Sequence, residues 1–480
     1  MAEMILGILA ACVIGSVGFT ARSVPEGRRP GVRRRHLAWG LVLSVIGFLV
    51  MALTAWSTHE DQHYDDFGSA MTALAAMMGG ALFLLGLGPV VSWLLGMLGR
   101  LTVRLPPPIR LAARDVAGDR ARTAPAVAAT MAATALAITI MIIVFAVTAQ
   151  NRAGYHPQAR PGTLLVHGLS PDEAPVVHAA VQRELPGVPI VQSDRQRNGH
   201  LSLEVENADL PDLENVSPAG LIGDRALLCY LTGDPSTPYA ENTVVVVTAQ
   251  DVDIDTVTVI YDSESSPKGG SLLEKSVPAT VAKPADPDVE GVFIPAKVVR
   301  DLGLDLEPEQ LIIDPSLHRT SAIEQARLDR RLGDTATTYV ERGFQASTGW
   351  RMFVVAAVVV AFGCAFAGTG RAGGSRSRRV LLRVGGSTAI QRLFAACRVG
   401  LGAACGAVMG AAVGCTIGLL LAWPMTTSVD WDPMPRVGFD TPWLLIAALV
   451  IGLPVLAAAL AGLLPVRTAR VAPSESGGKG

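Results

Sequence analysis

The sequence predicts an α-helical membrane protein that crosses the bilayer about seven times and carries one α+β domain outside it. Half of the 480 residues are apolar and only 17% are charged, whereas about a quarter of a soluble protein is charged. Seven apolar stretches reach the roughly 20 residues that a bilayer core of about 30 Å requires. Residues 148–349 contain 30 acidic and 16 basic residues, and the rest of the chain contains 12 and 24. A fully water-soluble protein is therefore excluded.

The seven predicted spans are all free of Asp, Glu, Lys and Arg in their middle third; they are 1–20, 36–56, 69–98, 126–147, 350–370, 399–423 and 443–465. A cleaved signal peptide is the alternative for 1–20. Its first residues, MAEM, carry no positive charge, and no clear cleavage site follows. We therefore expect this stretch to be a membrane helix.

The loops between the spans alternate in charge. Six arginines lie in 21–35, six in 99–125 and seven in 371–398, whereas 57–68 has four acids and no Lys or Arg, and 424–442 has three aspartates and one arginine. Arginine-rich loops stay in the cytoplasm. We therefore expect a multi-pass protein of the cell membrane with the N-terminus outside, the C-terminus inside and the acidic domain extracytoplasmic.

These boundaries predict eight segments along the chain: three spans in 1–98, a basic cytoplasmic segment at 99–125, a span at 126–147, the outer domain at 148–349, a span at 350–370, a basic cytoplasmic loop at 371–398, two spans in 399–465 and a cytoplasmic tail at 466–480. The acidity of the outer domain indicates a solvated surface, with a site for cationic ligands as the alternative.

The outer domain is predicted to mix strands and helices. Apolar or β-branched runs indicate strands at Thr163–His167, Val188–Gln192, Ala226–Leu231, Thr243–Thr248 and Thr256–Tyr261. Capping boxes at Ser170–Glu173 and Ser321–Glu324 each predict the start of a helix, the second ending at Gly333. Residues 193–220 and 262–290 are polar and rich in Pro, Gly, Asp and Ser, so we expect mobile loops there.

One motif suggests metal chemistry. His59-Glu60-Asp61-Gln62-His63 matches the H-E-x-x-H signature of zinc proteases, which makes a zinc metalloprotease a remote alternative function. A short loop between two membrane helices cannot build a substrate cleft, so a solvated loop that binds metal adventitiously at most is the favoured interpretation. No Cys-x-x-Cys pair is present, and we expect no cofactor, structural metal or nucleic-acid partner.

A row of glycines is the most regular pattern in the sequence. Within the predicted span 399–423, one glycine recurs at every fourth position: Gly402, Gly406, Gly410, Gly414 and Gly418. Such spacing allows a second helix backbone to approach closely. The row is either a static contact within the chain or a dimer or sliding interface that transmits motion.

The cytoplasmic loop 371–398 also has a pattern. Arg378–Arg383 predicts a short amphipathic helix that Gly385-Gly386 ends, and Thr388–Gln391 can cap a second helix. Two short helices lying under the membrane would dock on anionic lipid or on a protein.

The order of these segments resembles the FtsX-like, or MacB-type, permease family of ABC transporters. The residues that carry the resemblance are Ile109–Asp115 and Arg120–Pro125 before one span, Leu381–Gly386 with Gln391 after another, and Pro465–Pro473 after the last. Ala21–Pro25 also echoes Ala469–Pro473. In the long family members two permease units are joined by two extra helices. This chain looks like such a protein beginning at the last helix of its first unit, with that unit's other helices and outer domain absent.

The resemblance implies a non-catalytic permease subunit that couples ATP hydrolysis on a separate ABC ATP-binding subunit to movement of the outer domain. It also implies a second permease unit, either an identical copy or a separate N-terminal half. The residues implied in ATPase coupling are Arg378, Leu381, Leu382, Arg383, Gly385 and Gln391. Arg378 stands where the family commonly has an acid, which points to altered docking. No G-x-x-x-x-G-K-[ST] phosphate loop occurs in the sequence.

A membrane-anchored sensor or regulatory protein without transport is the alternative. It would share the acidic outer domain, but it would not need five helices beyond the two that flank that domain.

Overall fold

The computed structural model describes residues 30–60, 66–101, 106–118, 120–205, 217–218, 220–262, 272–286, 290–370, 388–427 and 436–463. The chain divides into two compact units. The helical unit combines Met1–Tyr155 with Ala346–Gly480, and the sheet unit is His156–Gln345.

The described part of the helical unit contains seven helices, numbered here along the whole chain: α1 Pro30–Glu60, α2 Asp66–Leu101, α3 Pro107–Gly118, α4 Arg120–Ala153, α9 Trp350–Gly370, α10 Thr388–Met425 and α11 Trp443–Leu463. The short α3 differs from the rest because it is amphipathic. Its Ala112, Ala113 and Val116 are buried, whereas Arg114 is exposed.

Five described helices are long and apolar enough to cross a membrane. Their apolar ranges are Leu37–Thr58, Ala70–Met97, Thr123–Ala153, Ala389–Met425 and Trp443–Leu463. A shorter apolar stretch, Trp350–Phe366, lies in α9. The predicted span 1–20 lies outside the described residues. The chain therefore has the helices of a membrane protein, while the count of seven spans stays a prediction.

The predicted loops at both ends of α1 are shorter than expected. Arg33, Arg34 and Arg35 lie inside α1, because the helix begins at Pro30, and proline is well suited to a first helical turn. At the other end, His59 and Glu60 still belong to α1. The hydroxyls of Ser57 and Thr58 both donate to the Thr54 carbonyl within the last turns of this helix.

The expectation of two separate short helices in the loop 371–398 is wrong for the second of them. Thr388 starts α10, which continues without a break to Met425. No proline occurs between Thr388 and the predicted span, so nothing in the sequence interrupts the helix. The first short helix, Arg378–Arg383, lies outside the described residues.

The described part of the sheet unit contains ten strands: β1 Leu164–His167, β2 Val191–Gln196, β3 Leu201–Glu204, β4 Ile222–Gly223, β5 Val244–Val247, β6 Thr256–Tyr261, β7 Leu273–Ala282, β8 Gly291–Pro295, β9 Leu306–Ile313 and β10 Thr337–Val340. They form one mixed sheet in the order β10-β1-β9-β2-β4-β8-β5-β7-β6-β3. Only the β4–β8 and β5–β7 pairs are parallel.

Four helices accompany the sheet: α5 Ala174–Glu184, α6 Arg225–Thr232, α7 Ala296–Asp301 and α8 Ala322–Leu332. Alternate residues of β1 point to opposite faces. Leu164 packs in the cluster that contains residues of α5 and α8, whereas Leu165 packs with α6. This part of the sheet is thus covered on both faces, and the predicted α+β class is confirmed.

Several element predictions in this unit are confirmed. β6 has the predicted range Thr256–Tyr261, and β5 lies within Thr243–Thr248. The predicted capping box also forms at α8. The Ser321 side chain accepts from the Glu324 amide, the Glu324 side chain accepts from the Ser321 amide, and Gly333 ends the helix.

Two interpretations were wrong because short apolar runs and polar strands are ambiguous. Ala226–Leu231 is helical, since Asp224 caps it and Gly233, in the left-handed conformation, ends it. Parts of the expected loops 193–220 and 262–290 are strands: most of β2 and all of β3 in the first, and all of β7 in the second. In β7 the residues up to Ser276 are exposed, and the exposed Pro278 and Thr280 alternate with the buried Val277 and Ala279, so the composition of the segment concealed the strand.

Two further elements start later than predicted. Ser170 does not cap α5, which begins at Ala174 with Glu173 at the N-cap. Its hydroxyl donates to the Glu173 carboxylate, and its carbonyl accepts from the Glu173 and Ala174 amides in a preceding turn. The strand expected at Val188–Gln192 begins at Val191.

Candidate functional site

The glycine row of α10 lies against α4. A β-carbon built on Gly402 would lie 3.8 Å from the Val127 side chain, which is ordinary contact. At the other four positions it would come much closer. Such a β-carbon would lie 2.9 Å from the β-carbons of Thr130 at Gly406 and Ile142 at Gly418. The row thus runs along a close contact between two helices of the same chain.

The centre of this contact is between backbones. A β-carbon on Gly410 would lie 2.6 Å from the Met131 carbonyl oxygen, and one on Gly414 would lie 2.6 Å from that of Ala135. The Thr139 hydroxyl donates to the Gly414 carbonyl at 3.2 Å. In a bilayer, close packing and hydrogen bonds hold helices together, so these positions bind α10 to α4.

Helix α9 packs on the same helix α4. The Thr130 hydroxyl lies 3.5 Å from the Ala361 carbonyl oxygen, and the rings of Phe145 and Trp350 meet edge to face at 6.2 Å. Along the sequence, α4 ends at Ala153 and α9 begins at Trp350, so these two helices directly precede and follow the sheet unit. Helix α4 therefore joins α9 to the glycine row of α10.

A buried ion pair fastens α3 to α10. Arg398 Nη1 lies 3.0 Å from Asp115 Oδ2, and the two side chains are 8% and 6% exposed. Asp115 belongs to a segment that carries the family resemblance, but its partner was not among the predicted site residues. No local spacing rule connects two charges so far apart in the sequence.

The predicted coupling residues are only partly described. Gln391 is half-buried at the start of α10. The other five, Arg378, Leu381, Leu382, Arg383 and Gly385, lie outside the described residues. Their role stays a prediction.

A second glycine contact, which was not among the predicted sites, joins α1 to α2. A β-carbon on Gly47 would lie 2.5 Å from the Gly79 carbonyl oxygen, and one on Gly40 would lie 2.7 Å from that of Gly86. The spacing of these glycines could have predicted the contact, because they are seven residues apart on each helix, which is two turns along one face.

The structure describes only the first two residues of the H-E-x-x-H motif. His59 and Glu60 end α1, whereas residues 61–63 are outside the described ranges. Among the residues that the structure describes, no group of three or more His, Cys, Asp or Glu side chains is placed to hold a metal ion.

In the sheet unit, Glu341 connects the segments that enter and leave the unit. Its side chain is fully buried and accepts hydrogen bonds from the Gln158 amide at 3.1 Å and the Gly343 amide at 2.7 Å. Its own amide donates to the Thr163 carbonyl at 2.9 Å. The segments that enter and leave the unit are therefore held by one carboxylate.

A polar cluster lies on the segment that enters the sheet unit. Arg160 forms an ion pair with Asp314 at 2.9 Å, and its guanidinium stacks 4.3 Å from the Tyr230 ring centre. Burial alone would raise the pKa of Asp314, but hydrogen bonds from Ser316 and the Arg160 charge outweigh it and hold the pKa below its ordinary value. The cluster thus fixes the entering segment to β9 and its following turn.

Comparison of the chain with known protein families finds no matching family, and comparison with curated proteins finds no match. The proposed function therefore rests on the contacts described above.

Proposed function

We propose that the chain is the permease subunit of an ABC transporter of the FtsX/MacB-like type. In this proposal a separate ATPase hydrolyses ATP, and the helical unit passes the resulting displacement to the sheet unit for export, or for extraction of a substrate from the membrane or its outer face. The observation that carries the proposal is the backbone contact between α4 and the glycine row of α10. It connects a helix that leads into the sheet unit with the helix that follows the basic loop 371–398.

Three further observations support this function. The helices flanking the sheet unit pack on each other through Thr130 and Phe145. The ion pair of Asp115 with Arg398 links the amphipathic α3 to the start of α10. The buried Glu341 holds both ends of the sheet unit together. A continuous series of close contacts thus runs through the helical unit, and the segments that enter and leave the sheet unit are joined to each other.

The proposal includes seven spans, with residues 1–20 as the first and 350–370 as the fifth. It places the arginine-rich segments and the C-terminus in the cytoplasm, and the sheet unit outside. It also includes a second permease unit, which the family resemblance of the sequence implies. The second unit is either another copy of this chain or a separate N-terminal half.

Orientation is tested by labelling single cysteines in a cysteine-free chain. We expect a membrane-impermeant maleimide to label Asp61→Cys and Ser217→Cys in intact cells, because these positions lie in acidic outer segments. Arg33→Cys and Arg376→Cys should react only after permeabilisation, since arginine-rich segments remain inside. Labelling of Arg376→Cys in intact cells would contradict the orientation and with it the access of an ATPase to the loop 371–398.

A sensor without transport predicts the same orientation, so a second observation separates the two functions. A gene for an ATP-binding cassette beside the gene for this chain favours the permease. A neighbouring kinase or sigma-factor regulator favours the sensor.

A further inference from the structure

The ion pair of Asp115 with Arg398 is placed where neither charge has an ordinary solvent contact. Arg398 is 8% exposed and Asp115 is 6% exposed, at an Nη1–Oδ2 distance of 3.0 Å. Burying two charges is unfavourable unless each compensates the other, and removal of one partner of a buried pair is usually strongly destabilising. Separation of α3 from α10 at this point is therefore strongly disfavoured.

Arg398 also lines a cavity between four helices. The lining comes from α3, α4, α9 and α10, among them Thr123, Thr130 and Ala365. The arginine of the ion pair therefore lies where α3 and α10 meet the two helices that flank the sheet unit.

A second contact fixes the same end of α3, one residue after Asp115. The Thr123 hydroxyl, in the first turn of α4, donates to the Val116 carbonyl at 3.1 Å in a buried hydrogen bond. This bond closes the corner between α3 and α4. The C-terminal turn of α3 is thus attached to α4 through the corner and to α10 through the ion pair.

We propose that Asp115 and Arg398 are positioning residues that form a permanent clamp, so that α3 and the start of α10 move as one body. Helix α3 is then a second lever, besides the loop 371–398, by which displacement at the cytoplasmic face reaches the contact of α4 with α10. The source of that displacement rests on the proposed function. The clamp itself does not, because it is a property of this chain alone.

The clamp is tested by a distance between α3 and α10 in the full chain. Nitroxide labels at Arg114→Cys and Leu393→Cys, both exposed positions, are introduced into a cysteine-free chain in lipid nanodiscs. Pulsed electron paramagnetic resonance should give one narrow distance distribution. We expect Arg398→Ala to broaden it at least twofold. Arg398→Lys, and the exchange Asp115→Arg with Arg398→Asp, should keep it narrow.

Arg392→Ala is the matched control, because it removes the same charge from an exposed position on the same helix. A distribution as narrow for Arg398→Ala as for Arg392→Ala would overturn the clamp. So would equal broadening by Arg398→Lys, since a clamp that depends on charge must survive it.

A second measurement uses the labelled chain with Asp115 and Arg398 unchanged, so that misfolding of a variant cannot affect the result. With an ABC ATPase bound, the distance between positions 114 and 393 should be the same in the nucleotide-free and ATP-bound states. A shift of about 5 Å, one turn of a helix, would show that α3 and α10 separate and would overturn the proposal. If the chain binds no ABC ATPase, the proposed function fails, and the variant series alone decides the clamp.

Discussion

Replacing Gly410 with leucine is expected to force α10 away from α4 and to prevent stable assembly of the helical unit. The first added atom would lie 2.6 Å from the Met131 carbonyl oxygen and 2.8 Å from the Thr134 β-carbon. Overpacking costs about 1–3 kcal/mol in well-packed cores. We expect the upper end of that range, because the added atom meets backbone that cannot rotate away.

The measurement is the thermal stability and gel-filtration profile of the purified chain in detergent. Val408→Leu is the matched control, since Val408 lies on the same helix and is 58% exposed; lipid tails accept leucine as readily as valine. A leucine scan of 402–418 should show its largest losses at every fourth residue. A scan without that period would mean that the glycines are not required for the contact. It would contradict the proposed transmission of displacement between α10 and α4.

Replacing Glu341 with alanine is expected to release the two ends of the sheet unit. The carboxylate accepts from the Gln158 and Gly343 amides, and hydrogen bonds to charged groups contribute about 1.5–3 kcal/mol each. Because Gln158 is near solvent, we expect a loss of about 3 kcal/mol in local opening free energy. Glu341→Gln keeps one acceptor oxygen and should lose about half as much.

Hydrogen exchange in the full chain measures this effect. A change of 1.4 kcal/mol corresponds to a factor of ten, so protection of the Gln158, Gly162 and Gly343 amides should fall roughly a hundredfold in Glu341→Ala. Glu274→Ala removes an exposed carboxylate from β7 of the same unit and should leave these amides unchanged. Equal exchange in the two variants would show that Glu341 does not hold the ends together.

The parts of the fold that the sequence predicts well are those with a local physical signal. A capping box is a contact within four consecutive residues, so Ser321 and Glu324 predict the start of α8. The run of β-branched residues from Thr256 to Ile260 likewise predicts β6. By contrast, the apolar run at Ala226–Leu231 is compatible with either a strand or a buried helix, and only the Asp224 cap and Gly233 decide between them.

The candidate site shows the same division. A small-residue period is visible along one helix, so the glycine row could be identified before its partner α4 was known. Two other contacts depend on which segments meet after folding: the pairing of Asp115 with Arg398, and the hydrogen bonds of Glu341 to the entering and leaving segments. Such contacts leave no periodic trace, and a single sequence offers no signal for them.

In the proposed function, ATP hydrolysis on another polypeptide drives this chain through its cytoplasmic face. The most direct test is the ATPase rate of a neighbouring-gene ABC cassette reconstituted with the chain in nanodiscs. We expect a stoichiometric complex whose ATPase rate differs several-fold from that of the cassette alone. Simultaneous replacement of Leu381, Leu382 and Arg383 by alanine should abolish that difference while the chain stays folded. An ATPase rate that is the same with the wild-type chain, with the triple variant and with no chain would contradict the account.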